Sequence, residues 1–331
     1  MKETLIVAPG KGWPRNEAWT KEIALVSEKL GIDVVATGKI RWLFSRKGRY
    51  LIIRHSFLLY GVFALIVFFR SLRYKQVILE CTPGSLYFRL LSGLIGRKKI
   101  VYHLRDPEWR ISSDELSGFK SVVVPFAIKK APGATVFPFG IDLAKYSVAR
   151  KKHNGFTVLF ASAPLQHHDF EQIFDEKGVL LLLESFAQLD VKGKKLVLIW
   201  RGAYHSELKG IIRKLYSDLD IEVVNEVVDL ASYYARADVT VLCAQSREHT
   251  PAYPSSAMES VACGTPVIVS RVLPISSVVS KERFGVVCDA DSLTDALETV
   301  QKKNASFVAA CKSRRSVFDV SKSLDHLKKG L

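Results

Sequence analysis

At 331 residues and 48% hydrophobic, the chain is long enough for two cores, since single cores stop growing at roughly 250–300 residues. Its net charge of +15 lies almost wholly in the first half: residues 1–150 hold 25 Lys and Arg against 11 Asp and Glu, residues 151–331 hold 23 against 22. Such a basic half suits nucleic acid, an anionic membrane or an acidic substrate, while five widely spaced cysteines form no zinc, redox or disulfide pattern and fit a reducing cytoplasm.

The opening run, MKETLIVAPGKGW, enters an apolar strand directly, without the features of a signal peptide, so the reading expects no export. Strands are predicted at Leu5–Ala8, Val34–Thr37, Val77–Glu80, Ile100–His103 and Val122–Val124, with helical patterns between them. That alternation defines a parallel, doubly wound α/β sheet. PGKGW after the first strand reads either as a glycine turn whose amides approach a phosphate or as an ordinary strand–helix turn.

From Lys39 to Arg54 the chain carries Lys39, Arg41, Arg46, Lys47, Arg49 and Arg54 without an acidic residue, interleaved with Trp42, Leu43, Phe44 and Tyr50. Such a segment is expected to lay its aromatics into a headgroup layer while its cations meet lipid phosphates; a solvated basic face and a cradle for a soluble acidic polysaccharide are the alternatives. The apolar run from Ser56 to Phe69 is too short to span a bilayer, which needs about 20 apolar residues, and it reads either as a helix under the sheet or as a membrane contact. No nucleic-acid motif accompanies the basic residues.

FPFGIDLAKYSVARKKHNGF has the composition of a linker, placing a boundary near residue 150. The predicted domains are 1–149, 150–315, and a C-terminal helix over 316–331 that packs back toward the first domain. The second half repeats the βα rhythm at Thr157–Ala161, Leu196–Trp200, Glu222–Val224, Val239–Cys243, Pro266–Ser270 and Gly285–Val287. Ligands of such sheets bind beyond the carboxyl ends of the strands, so two joined sheets are expected to form a cleft.

Several motifs lie at those ends. Lys177 precedes an apolar helix in EKGVLLLLESFA, where ammonium and helix terminus both attract phosphate. HTPAYPSSAMESVACGTPVIVS sets turn-forming prolines and a serine pair ahead of Glu259 in a short helix ending at Gly264. His167, His168 and Asp169 are adjacent residues in a loop and make no convincing metal site. Asp291, before SLTDALETV, reads as a helix cap.

The stretch ESVACGTPVI resembles the second half of the paired-glutamate motif of glycosyltransferase family four, the retaining "group 1" glycosyltransferases. FPFGIDLAKYS, EKGVLLLLESFA, VVDLASYYARADVTVLCA and KIVYHLRD resemble further segments of that family in the right order. The resemblance implies a GT-B fold: two facing Rossmann-like doubly wound parallel-sheet domains with an interdomain cleft. It implies a nucleoside diphosphate sugar, UDP- or GDP-linked, as donor, with no cofactor and no metal.

Carried over residue by residue, the resemblance places the ribose-holding carboxylate on Glu259, expected to face a cleft rather than the core. The phosphate-binding lysine falls on Lys177, the glycine turn on Gly12 and the sugar-contacting histidine on His103, with Tyr253, Ser255 and Ser256 beside the donor. The first glutamate of the paired motif falls on Pro251, so sugar recognition differs here or uses Glu248. The family's Gly-Arg-Leu reads Ser162-Ala163-Pro164, and Arg201 is the candidate substitute for the missing arginine. The implied activity is hexosyl transfer to an acceptor hydroxyl; the basic segment from Lys39 to Arg54 adds the expectation of a lipid or lipid-linked glycan acceptor and of a cytoplasmic protein peripheral to the inner membrane face. A sugar-nucleotide epimerase and an inactive membrane- or nucleic-acid-binding relative remain alternatives.

Overall fold

The computed structural model describes residues 2–13, 18–38, 44–54, 59–81, 84–103, 112–124, 134–136, 140–150, 154–162, 169–247 and 250–322. The chain forms two compact units, Met1–Gly140 with Val320–Leu331, and Ile141–Asp319. The passage between them falls at Gly140–Ile141, ahead of the boundary near residue 150 read from composition. The Ile141 N–H donates to the Phe318 carbonyl (2.8 Å), which ties this stretch to the second unit.

The first unit runs β1 (Lys2–Trp13), α1 (Ala18–Leu30), β2 (Asp33–Gly38), β3 (Phe44–Lys47), β4 (Tyr50–Arg54), α2 (Tyr60–Ser71), β5 (Tyr74–Leu79), α3 (Leu86–Ile95), β6 (Ile100–His103), α4 (Ser113–Leu116), β7 (Ser121–Val124) and β8 (Thr135–Val136). Its sheet has the order β3-β4-β2-β1-β5-β6-β7-β8, and only β3 runs antiparallel to its neighbour. Alternate strand residues face opposite layers. Leu5, Val7, Val35, Val77 and Leu79 pack with Phe63, Val67, Phe88 and Leu91 of α2 and α3. Ile6, Ala8, Val34 and Ile78 pack with Ile23 and Val26 of α1, and Val320 joins that layer late in the chain.

Three expectations change here. First, β1 continues through PGKGW to Trp13, its pairing with β2 slipping between Ala8 and Trp13; Gly12 is therefore part of an irregular strand end, not of a turn beyond it. Second, half of the basic segment folds as the β3–β4 hairpin at the sheet edge. Ile52 and Ile53 are buried, and the Tyr50 hydroxyl donates to the Ala24 carbonyl of α1 (3.4 Å). The apolar pattern of YLIIR thus serves the sheet, and Tyr50 is turned inward. Lys39, Arg41, Trp42 and Leu43 lie outside the described residues. Third, β5 ends at Leu79, which frees Glu80 from the strand.

The second unit runs β9 (Phe156–Ser162), α5 (Phe170–Glu176), α6 (Val179–Gln188), β10 (Lys194–Trp200), α7 (His205–Leu215), β11 (Ile221–Val224), α8 (Leu230–Arg236), β12 (Val239–Leu242), α9 (Ser255–Ala262), β13 (Val267–Ser270), α10 (Ser276–Glu282), β14 (Gly285–Cys288) and α11 (Leu293–Arg314). Its sheet is parallel, in the order β11-β10-β9-β12-β13-β14. Trp200, Phe174 and Phe186 fill its larger core, with an edge-to-face contact between Phe174 and Trp200 at 4.9 Å. Asp289, not Asp291, is the capping residue, in a reciprocal bond with Ser292; Arg271 also pairs with it. All five cysteines are buried, free thiols. Residues 323–331 of the expected C-terminal helix lie outside the described residues.

Candidate functional site

Strand order fixes where chemistry can occur. In the second unit the chain winds from β9 through β10 to β11 on one side and from β12 through β13 to β14 on the other. The carboxyl ends of β9 and β12 therefore flank a topological switch point, where loops part and leave room for a ligand. Three of the candidate segments come to this edge. Arg201 follows β10, is exposed, and its N–H donates to the Ser162 carbonyl at the end of β9 (3.2 Å). Lys177 and α9 are held against the end of β12.

The Lys177 turn is seated through its backbone. The Gln245 N–H donates to the Glu176 carbonyl (2.7 Å), and the Cys243 thiol donates to the Gly178 carbonyl (3.1 Å). Gly178 has φ +69°, and a Cβ there would lie 2.0 Å from the Cys243 carbonyl oxygen. Only glycine permits this approach, which is why lysine is followed by glycine before α6. The consequence is electrostatic. Lys177 is half-buried, and that burial, offset in part by neighbouring Glu176, pushes its ammonium down to about 8.

α9 is held as firmly. The Ser260 hydroxyl, fully buried, donates to Thr240 Oγ1 on β12 (2.8 Å), and Thr265 Oγ1 donates to the Tyr234 carbonyl (2.6 Å). At the C-terminal end, Arg315 donates to the Ala262 carbonyl (2.7 Å) and Arg150 to the Gly264 carbonyl (3.3 Å). These cations meet the negative end of the helix dipole and leave the positive end, at half-buried Ser255 and Ser256, for an anion. Tyr253, just before the helix, is buried, which raises its hydroxyl pKa.

Glu259 departs from expectation. Its side chain is buried: Oε1 accepts from the Tyr146 hydroxyl at 2.6 Å and Oε2 from the Tyr234 hydroxyl at 3.3 Å. Burial, reinforced by the Glu259 carboxylate, holds both phenols protonated and so keeps them donors. A carboxylate offers about four acceptor positions, so two tyrosines orient it without exhausting it. Sequence reasoning missed both tyrosines. Tyr234 lies on α8, and Tyr146 ends a 3-10 turn, Leu143–Tyr146, inside the stretch read as linker.

In the first unit, His103 ends β6, buried, with Nδ1 2.6 Å from Glu80 Oε1. Glu80 follows β5, and its N–H donates to the Val7 carbonyl (2.9 Å). The pair sits at the carboxyl edge near that sheet's own reversal between β1 and β5. The carboxylate fixes the ring's orientation and places a proton on Nδ1. Glu80 was also missed; its signal was an acidic residue directly after an apolar strand. Glu248, His167 and His168 lie outside the described residues, and Pro251 is exposed. Among the described residues no group of His, Cys, Asp and Glu is arranged to hold a metal.

Two doubly wound units with polar groups gathered at their carboxyl edges define a protein of the doubly wound α/β class. Residues 170–313, less than half of the chain, match the glycosyl transferases group 1 family. A curated relative, the D-inositol 3-phosphate glycosyltransferase of Pseudarthrobacter chlorophenolicus, is 27% identical over 175 residues, covering 48% of this chain and 39% of that protein. The chain thus spans well under half the length of that relative. Among solved structures, the sucrose-phosphate synthase of Thermosynechococcus elongatus superposes with a TM-score of 0.76 at 16% identity over 99% of this chain and 98% of that one. Anabaena HepE, in complex with UDP, superposes with a TM-score of 0.72 at 15% identity over 99% of both chains. These structures share the GT-B glycosyltransferase fold with this chain.

The tyrosine pair is open to direct test. Tyr146→Phe should cost about 1.5–3 kcal/mol of stability, the value of a bond to a charged acceptor. The same substitution in a Glu259→Gln background should cost at least about 1 kcal/mol less, by a double-mutant cycle in denaturant. Additive losses would show that the hydroxyl does not bind the carboxylate.

Proposed function

We propose that this chain transfers a sugar from a nucleoside diphosphate sugar, UDP- or GDP-linked, to an acceptor hydroxyl with retention of configuration. The acceptor in this reading is a lipid or lipid-linked glycan at the inner face of the membrane. One observation carries the proposal: Lys177 and Arg201, both within the stretch that matches the group 1 family, stand at the carboxyl edge of the second unit's sheet, beside its switch point. That HepE binds UDP on the same fold supports the donor class. No helix among the described residues is long and apolar enough to cross a membrane.

The reaction breaks the bond between the anomeric carbon and the diphosphate, leaving negative charge on the departing oxygen and positive character on the sugar. Lys177, Arg201 and the amides at the start of α9 meet the first charge in a site organised before the reaction begins. Glu259, oriented by its tyrosines, accepts from the ribose hydroxyls. Tyr253 adjoins the nucleotide. His103, aligned by Glu80, orients the sugar. With proline at the position of the first motif glutamate, no protein nucleophile is assigned. Acceptor attack occurs on the face that the diphosphate leaves, and the leaving phosphate takes the acceptor's proton. Protein groups supply the neutralising charge, so no metal is required.

Purified protein given UDP- or GDP-sugars should release the nucleoside diphosphate and form a glycosylated product, with the rate unchanged by EDTA. A chelator-sensitive rate restored by Mg²⁺ would overturn the metal-free mechanism, and no release from any donor would overturn the transferase reading. Lys177→Ala and Arg201→Ala should each lower kcat on the order of a hundredfold, the usual loss for one transition-state donor, with smaller changes in donor affinity. Wild-type rates in Arg201→Ala would remove it from the site.

The Lys177 ammonium adds a pH signature. Burial lowers its proton affinity in the donor-free protein to about 8, and a bound diphosphate raises it again. Donor affinity should therefore fall as pH rises through about 8, and binding near that pH should take up protons. Calorimetry in buffers of different ionisation enthalpy measures the uptake; Lys177→Met should abolish it. Equal uptake in wild type and variant would assign the proton elsewhere.

A further inference from the structure

α2 is apolar on both sides. Its inner side, Phe63, Ala64 and Val67, is buried in the core. Its outer side carries Val62, Leu65 and Phe69, and Leu72 follows at its C-terminal cap; these are 40%, 51%, 62% and 55% exposed. The spacing i, i+3, i+7, i+10 aligns these four along one face. α2 packs against α3 through an edge-to-face contact of Phe63 with Tyr87 (5.2 Å), and α3 exposes Leu86 and Leu94 at 47% and 41%. The two helices thus carry an apolar ridge open to solvent. A fold that needed only to cover its sheet would place polar residues there, because exposed contiguous apolar surface favours association.

Charge around the ridge selects what covers it. Between Tyr60 and Lys99 the only acidic residue is Glu80, which is engaged with His103. The same stretch holds Arg70, Arg73, Lys75, Arg89, Arg97, Lys98 and Lys99. Lys75 pairs with Glu3, Lys99 donates to the Ser71 carbonyl, and Arg97 donates to the Ser117 carbonyl. Arg73, Arg89 and Lys98 are exposed. Arg89 and Arg97 line one groove with Gly84, Ser92 and Gly93, which leave space between them; Glu115 also lines it. A second copy of the chain fits this surface poorly. A two-fold contact apposes a patch with itself and would bring like cations together.

We infer that the α2–α3 ridge is a docking face for an anionic lipid surface, with Val62, Leu65, Phe69 and Leu72 entering the boundary between headgroups and acyl chains and Arg73, Arg89 and Lys98 meeting lipid phosphates. This deepens the lipid-acceptor part of the proposed function and moves the expected contact. The aromatics of the basic segment were expected to enter the headgroups, yet Tyr50 packs inward. The ridge supplies apolar insertion, and exposed Arg46 and Arg49 of the hairpin add charge.

Flotation of the full chain with phosphatidylcholine vesicles containing phosphatidylglycerol tests this. Wild type should float with the anionic vesicles at low salt, less so as salt rises, and not with phosphatidylcholine alone. Leu65→Glu with Phe69→Glu should abolish flotation. Arg73→Ser, Arg89→Ser and Lys98→Ser together should weaken partitioning on the order of a hundredfold. These positions are exposed, so the variants should keep the circular dichroism and donor binding of wild type. Wild type left in the soluble fraction at low salt would overturn the docking face. So would equal flotation of the Leu65→Glu, Phe69→Glu variant, or a wild-type dimer that this variant splits into monomers. Flotation is read without turnover: if it fails while nucleotide-sugar cleavage persists, only the docking face falls, and if cleavage fails while flotation persists, only the transferase reading falls.

Discussion

A parallel sheet covered on both faces leaves polar chemistry almost nowhere to go except the strand ends. Both units obey this constraint. Leu5 to Ala8 alternate between two buried layers, and Trp200, Phe174 and Phe186 fill the larger core of the second unit. The groups with chemical capacity are accordingly found where strands stop: Glu80 and His103 in the first unit, Ser162, Lys177 and Arg201 in the second. The reversal of strand order between β9 and β12 then selects one portion of an edge, because adjacent loops diverge there.

The same constraint explains what was legible in the sequence. β-branched runs bounded by turns placed ten of the strands to within three residues at either end, since such runs have little alternative in a doubly wound sheet. The hairpin β3–β4 was hidden because a run of cations dominated its reading, although Ile52 and Ile53 carried the apolar signal of a strand. The length of β1 was hidden for the opposite reason. Two glycines and a proline suggest a stop, yet an irregular pairing absorbs them and carries the strand to Trp13.

At the candidate site, single residues with a strong local context were readable and their partners were not. Lys177 announces itself through the glycine that follows, whose backbone contact with Cys243 excludes any side chain. Glu259 announces itself through a motif, but its burial between Tyr146 and Tyr234 depends on a contact 113 positions apart in sequence, and no local pattern encodes that. The Glu80–His103 pair is of the same kind. Polar networks assembled from separate elements are specified by topology, and their members look like ordinary surface or core residues until the strands are ordered.

The buried thiols carry a consequence of a different sort. Cys81 belongs to the first unit and the other four to the second, and every one is enclosed. Burial pushes Cys263 up to about 12 and Cys288 to about 11, so none is a competent nucleophile while the structure is closed. Alkylation can proceed only through transient opening. The chain therefore carries a native set of clocks, one thiol timing the breathing of the first unit and four timing that of the second, with Cys243 and Cys263 set beside the elements that hold Lys177 and Glu259.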